Sequence, residues 1–313
     1  MKNYRFLGIV SILLVGLVAS ACSAQSTPTT ASVSTDAPVT EEISTSTPEE
    51  SPVAAETDTP VQVEGCLGSA DTALVDLNCE EITIAVENAY LPFNYIILET
   101  GEPGGWDYDT WNEICTRLHC KPVFVEAAWD GLIQGVADGL YKVGADGVTI
   151  TDDRSEIVDF SEPYIKIQQR LLERKGETRF ESIEDLASNP DFIIATQTST
   201  TNYETAVQYI SEDRIKAFDQ MPFAVQALLA GDADAVIMDE IIGMGYQGEN
   251  AEQLELLGPS ISSDGLGFLY PKGSELKAPV DVAIQAMIDD GVLLAINETY
   301  FGASFALTYD DIQ

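Results

Sequence analysis

The chain has 313 residues, of which 15 are lysine or arginine and 52 are aspartate or glutamate, giving a formal charge of −37. A field of that sign opposes nucleic-acid binding, and it favours solubility and the attraction of cations. Beyond the first 18 residues no apolar run approaches the ~20 residues needed to span a bilayer.

Residues 1–21 read as a targeting segment. Lys2 and Arg5 precede an apolar run from Phe6 to Val18, and Ala19-Ser20-Ala21 then leads into Cys22. The pattern resembles a bacterial lipoprotein signal, with Ala19 where leucine is usual and Cys22 as the acylated mature N-terminus. The alternative is an ordinary secretory signal cut near Ala21, with Cys22 incidental. Without Lys2 and Arg5 the mature chain carries −39. Residues 22–64 are rich in Thr, Ser, Pro, Ala and Glu and hold no aromatic side chain. Such a segment buries too little apolar surface to offset its ordering entropy, so it is expected to be a flexible tether. Its composition also permits glycosylation.

About 249 residues remain from Gly65, enough for two lobes with a core each. Export suits the four further cysteines, whose sequence neighbours suggest the pairs Cys66–Cys79 and Cys115–Cys120 among three possible pairings. A zinc site is the competing reading, and its spacings are poor. His119 is expected on the surface.

Strands are predicted at Ile82–Val86, Pro122–Val125 and Val143–Val148, with helices at Trp106–Leu118 and Trp129–Gly139 between them. Trp111, Ile114 and Leu118 share one helical face, and Leu132, Ile133 and Val136 another. A second series follows. Its strands are Gln169–Leu172, Phe192–Thr196, Arg214–Phe218, Ala233–Met238 and Gly265–Tyr270. Its helices begin at Ser182, Thr200 and Phe223, and two more close the chain from Ser274 and Leu293. The rhythm is α/β: two lobes, each a mixed, mostly parallel sheet flanked by helices. The expected crossings, near Ile165–Gln168 and Ser262–Leu266, make a two-stranded hinge. Lobe 1 is then 65–166 plus 265–313, and lobe 2 is 167–264. A ligand cleft is expected at the strand C-termini between them.

The stretch from Val143 to Tyr164 carries the most chemistry. A strand runs into Gly147-Val148-Thr149, Arg154 follows, and Asp159-Phe160-Ser161-Glu162-Pro163-Tyr164 closes the unit. Small residues and a hydroxyl at a strand end, beside a fork-shaped cation, suit a carboxylate. Further motifs stand in order: Ala89-Tyr90-Leu91-Pro92-Phe93, Gly105-Trp106-Asp107-Tyr108-Asp109, Trp129-Asp130-Gly131-Leu132-Ile133 and Asp234-Ala235-Val236-Ile237-Met238-Asp239. Together they resemble the family 3 solute-binding proteins, which have the type II periplasmic-binding-protein fold and serve polar amino-acid ABC importers. The resemblance runs from about Ile82 to Gly302.

It implies roles for particular residues. Arg154 clamps the ligand α-carboxylate, rather than pairing with Asp152, Asp153 or Glu156; its fork of donors is one that lysine cannot match. Thr149 and the backbone at Asp146 and Gly147 complete that side. Gln197-Thr198-Ser199-Thr200 matches the loop at a helix N-terminus, with Thr198 where the family has glycine. Ser199 and Thr200 are ligand candidates there, with plain N-capping as the alternative. Asp239 receives the ligand ammonium. Tyr90 and Trp129 sandwich the ligand side chain. Glu87 stands where some members place an acid, and Asp146 replaces a small residue. Two acids and two aromatics favour arginine or lysine, and a neutral amino acid is the rival.

The expected function is therefore that of an extracytoplasmic binding protein that hands a free amino acid to an ABC permease. It needs no cofactor, no metal and no catalytic residue. It is lipid-anchored in the envelope, on the outer face of the cytoplasmic membrane or in the periplasm. An enzyme of the cyclohexadienyl dehydratase kind on the same fold is the alternative, as is a sensory binding protein acting in trans. A sensory ectodomain or a lytic enzyme calls for more chain than the dozen or so residues after Gly302.

Overall fold

The computed structural model describes residues 64–302. The signal segment, Cys22 and, Glu64 apart, the 22–64 tether lie outside the described residues, as do 303–313. Among the described residues no helix is long and apolar enough to cross a membrane.

The first strand, β1 (Glu80–Val86), buries Ile82, Ile84 and Val86. A small antiparallel meander follows, made of β2 (Ala89–Tyr90), β3 (Asn94–Ile96) and β4 (Pro103–Gly104). It leads into α1 (Trp106–Leu118) through Gly105. There φ is 129°, and a Cβ would lie 2.2 Å from the Phe93 carbonyl oxygen, so only glycine fits. Next come β5 (Cys120–Glu126), α2 (Trp129–Ala137), β6 (Val143–Gly144), α3 (Asp152–Ile157) and β7 (Val158–Phe160). The chain then enters a second sheet through β8 (Ile165–Arg174). It continues with α4 (Ile183–Ser188), β9 (Ile194–Gln197), α5 (Thr201–Tyr209), β10 (Ile215–Phe218), α6 (Met221–Ala230), β11 (Ala235–Asp239), α7 (Glu240–Glu249) and β12 (Leu254–Leu266). It returns with β13 (Leu269–Pro271), α8 (Lys277–Asp289) and α9 (Val292–Phe301).

Each lobe is built on one five-stranded sheet, ordered β5-β1-β6-β13-β7 in the first and β10-β9-β11-β8-β12 in the second. In both, the parallel ladders lie on one side and the antiparallel ladders on the other. The two crossings run side by side. Tyr164 N–H donates to the Leu266 carbonyl at 3.0 Å, and Ser161 N–H to the Phe268 carbonyl at 2.9 Å. The Tyr164 and Phe268 rings, 4.5 Å apart, pack on Trp106 of α1. Large aromatic area at this point holds the hinge to the core of the first lobe.

The disulfides are Cys66–Cys79 and Cys115–Cys120. A His119 ring nitrogen lies within 4.8 Å of the first pair of sulfurs. Those sulfurs are bonded to each other, and His119 Nδ1 pairs with Asp76 at 2.8 Å. His119 is half-buried rather than a free surface residue.

Several elements differ from the sequence expectation. The strand expected over Val143–Val148 is a ladder only at Val143–Gly144, because the chain then turns inward at Gly147. The strand expected over Gly265–Tyr270 is divided between the end of β12 and β13, because the crossing falls at residues 267–268. In α2, Asp130 and Gly131 are not helical, and Gly131 has φ 103°.

Candidate functional site

Strand ends and helix starts converge on one cavity. From the first sheet, β1 runs into Glu87 and β6 into Asp146 and Gly147. From the second, β9 ends at Gln197 and β11 at Asp239. Trp129 opens α2, Thr200 caps α5, Arg154 stands on α3, Tyr90 ends β2, and Thr149 comes from the connection between β6 and α3. Every ligand residue expected from sequence lines this space except Ser199. Gly147 is required: its φ is 57°, and a Cβ would meet the Tyr90 ring at 2.9 Å.

Arg154 is buried. Its Nη1 donates to the Thr149 carbonyl at 3.0 Å, and its guanidinium carbon lies 5.6 Å from the centre of the Trp129 ring. Among the described residues no carboxylate comes within 4.0 Å of it, so the alternative of a salt bridge to Asp152, Asp153 or Glu156 is not what holds it. Burial pushes its pKa down, while Glu204 and Asp239 oppose that. A guanidinium remains charged regardless.

Asp239 shares the cavity. Its Oδ2 accepts a 2.6 Å bond from the Tyr90 hydroxyl, and its Oδ1 meets Asn202 Nδ2 at 3.5 Å. Burial raises its pKa to about 6, against the pull of Tyr90, Asn202 and Arg154. Asn202 Oδ1 is buried and accepts no hydrogen bond among the described residues.

Glu87 and Asp146 form the other end. Gln197 Nε2 donates to both Glu87 oxygens, at 3.0 and 3.3 Å, and Asn94 Nδ2 donates to Asp146 Oδ1 at 2.6 Å. Burial, and for Glu87 the charge of Asp146 as well, holds both acids above the usual carboxylate range. Behind them Asn94 also donates to Asp107 Oδ2 at 2.9 Å. Asp107 lies in the first turn of α1 and is fully buried, with its pKa raised by that burial.

The two lobes touch across this space. Tyr90–Asp239 and Gln197–Glu87 are bonds between them, as are Trp129 Nε1 to the Ser199 carbonyl at 3.2 Å and Ser199 Oγ to Asp130 Oδ1 at 3.0 Å. Ser199 is therefore a rim residue, exposed and outside the cavity. Its φ of 59° also shows that the left-handed position falls one residue after Thr198, where the glycine of the motif was aligned. The Thr200 hydroxyl caps α5, accepting from Tyr203 N–H at 3.1 Å and donating to the Gln197 carbonyl at 2.7 Å. The gap holds about 350 Å³ between atoms, open solvent included. The bonds across it hold the lobes against each other.

Sequence reasoning passed over Gln197, Thr201, Asn202 and Met221, which also line the cavity. The available signal was position: Gln197 directly follows the strand expected over Phe192–Thr196, Thr201 and Asn202 open the helix expected from Thr200, and Met221 stands just before the one expected from Phe223.

The profile of the bacterial extracellular solute-binding proteins, family 3, matches residues 82–303. The L-cystine-binding protein TcyJ of Escherichia coli strain K12 is 28% identical over 239 residues, covering 75% of this chain and 88% of the relative. Among solved structures, the arginine-, lysine-, histidine-binding protein ArtJ of Geobacillus stearothermophilus aligns with a TM-score of 0.66 at 29% identity, over 71% of this chain and 96% of ArtJ. The ancestral amino acid-binding protein AncCDT-1, a precursor of cyclohexadienyl dehydratase, aligns with a TM-score of 0.66 at 29% identity, over 71% and 95%.

Proposed function

The chain belongs to the bacterial extracellular solute-binding proteins, family 3, and on that premise we propose that it captures a basic amino acid between its lobes for delivery to an ABC permease. The observation that carries this reading is the polarity of one cavity, with a lone guanidinium at one end and buried acids elsewhere. Arg154 takes the ligand α-carboxylate, with Thr149 and the backbone at Gly147 beside it. Asp239 takes the α-ammonium, and the partnerless Asn202 Oδ1 is a second acceptor for it. Tyr90 and Trp129 flank the side chain, and Glu87 and Asp146 meet its cationic tip. Thr200 contributes through its place at the start of α5. ArtJ, described as binding arginine, lysine and histidine, supports a basic ligand.

Opening breaks the cross-cleft bonds, the 3.4 Å contact between the Thr149 and Thr201 hydroxyls among them, and contacts to the ligand from both sides favour reclosure. Only ligand that binds the closed state better can drive that step. The lobes in this reading are 65–166 plus 265–313 and 167–264, and Cys22 carries the lipid anchor through the tether to the envelope membrane.

The test is calorimetry and thermal shift against a panel of amino acids. Arginine or lysine is expected to raise the melting temperature most, with glutamine and cystine weaker and aspartate without effect. A panel in which aspartate or cystine wins would overturn the basic-ligand reading. The similarity to AncCDT-1 keeps one enzymatic alternative in view. Turnover of prephenate or arogenate, read in the ultraviolet, would favour it.

A further inference from the structure

The acid end of the cavity has no cation of its own. Glu87 and Asp146 are 7% and 2% exposed, and Asp107 behind them is 0% exposed. The groups facing them come from six elements and from the crossing between the lobes, where the buried Tyr164 phenol feels the charge of both Asp107 and Asp146. The end of β1 presents Glu87 itself, and the end of β6 presents Asp146. Asp107 and Tyr108 come from α1, Asn94 from β3, the Trp129 main-chain N–H from α2, and Gln197 from β9. The carboxylate of Glu126, at the end of β5, lies one step further out and accepts from Asn88. No lysine, arginine or histidine among the described residues helps to hold Glu87, Asp107 or Asp146 in the charged form. Arg154 answers instead to Glu204 and Asp239.

Neutral amides are all that these acids have. Asn94 bridges Asp146 and Asp107 with its two amide hydrogens, and its own oxygen is taken by the Asn88 N–H at 2.6 Å. Its orientation is thereby set, and it cannot turn an acceptor toward either acid. One oxygen on each carboxyl, Asp146 Oδ2 and Asp107 Oδ1, is buried and has no hydrogen-bond partner among the described residues. Adjacent dry carboxylates cannot all ionise, since each charge lacks solvation and repels the next. Either a proton or an incoming cation must neutralise the pair.

We propose that the empty site carries a proton on the Glu87–Asp146 pair, positioned by Asn94 and Asp107, and that the cationic tip of the ligand displaces it. This rests on the basic-ligand reading and adds its regulation. The exchange balances: one carboxyl O–H bond breaks, the proton leaves to solvent, and a guanidinium or ammonium takes its place. A site of this kind binds best in alkaline medium and releases its cargo as the medium acidifies. A neutral ligand of similar length gains nothing from the same rise in pH.

Calorimetry of the full mature chain with arginine, in two buffers of different ionisation enthalpy, counts the protons exchanged. The expected result is release of roughly half to one proton per arginine near neutral pH, declining toward about pH 9. Affinity should weaken by up to about tenfold per pH unit on acidification. Asp239 can release its own proton to any α-ammonium, so Asp146→Asn separates the two sources. That isosteric variant is expected to bind arginine more weakly and to lose most of the release. Arginine binding with no proton release between about pH 5.5 and 9, or with release unchanged in Asp146→Asn, overturns the exchange and leaves the basic-ligand reading standing. Failure of both arginine and lysine to bind overturns that reading and the exchange together.

Discussion

The two ends of the cavity are equally dry and answer dryness in opposite ways. At one end Arg154 keeps its charge, because a guanidinium does not deprotonate in water's range. It offsets lost solvation with a main-chain carbonyl and the face of Trp129. At the other end Glu87 and Asp146 can accept protons, and burial pushes them to do so. One end is thus a fixed charge and the other an adjustable one. Fixed charge suits the α-carboxylate, which every amino acid carries. Adjustable charge suits the side chain, where one ligand differs from the next.

The largest test of this contrast is Arg154→Ala. Its loss leaves a ligand carboxylate buried without a partner, at a cost of about 3–5 kcal/mol, or roughly a hundredfold to a few thousandfold in affinity. Calorimetry should show arginine binding abolished while circular dichroism melts stay close to wild type. Arg154→Lys should recover little, since one ammonium does not replace a fork. Undiminished affinity in the alanine variant would remove Arg154 from the site.

A middle-sized effect is expected in the stability of the empty protein. A carboxyl held above its ordinary value in the fold stabilises fully below its unfolded value, about 3.9 for aspartate. That contribution disappears as pH rises through the folded value. Empty wild-type protein should therefore melt progressively lower from about pH 5 to about pH 9. Asp146→Asn should flatten that slope and gain on the order of 1–3 kcal/mol at the alkaline end. A melting temperature that rises with pH in both proteins would contradict the account of the acid end.

Tyr90→Phe should act least. It deletes the 2.6 Å bond to Asp239 and with it one of the contacts that close the empty cleft. A bond to a charged acceptor is worth about 1.5–3 kcal/mol, but in the bound form the ligand ammonium replaces part of it. Arginine affinity should change by less than about tenfold, with the rate of opening more sensitive. A loss as large as that of Arg154→Ala would mean that the Tyr90 hydroxyl binds ligand directly.

Legibility in the sequence followed local physics. α1 is long and periodic, β1 and β11 are apolar runs buried on both faces, and the sequence reading found all three close to their observed bounds. Strand β12 was missed almost entirely. Its Gly258-Pro259 and serine run look like a loop, and it is a strand because β8 offers an edge to pair with across an irregular register. Helix α7 was missed because Gly243, Gly245 and Gly248 weaken its propensity. It forms where Ile242 and Tyr246 can be buried on β8 and β12. The meander β2–β4 has strands of two or three residues, too short for any period to register.

What the amino-acid order determined by itself is the alternation of elements, a short-range property carried by periodicity, caps and turn chemistry within a few residues. Arg154, Asp239, Glu87 and Asp146 were singled out by the motifs shared with a known family. Only the tertiary structure decided that Asn94, Asp107 and Gln197 surround the acid pair, and that Ser199 sits on the rim while Thr200 faces inward. Those outcomes depend on how two sheets meet across a double crossing. Contacts between Glu87 and Gln197, 110 residues apart, leave no local trace for a reader of the chain.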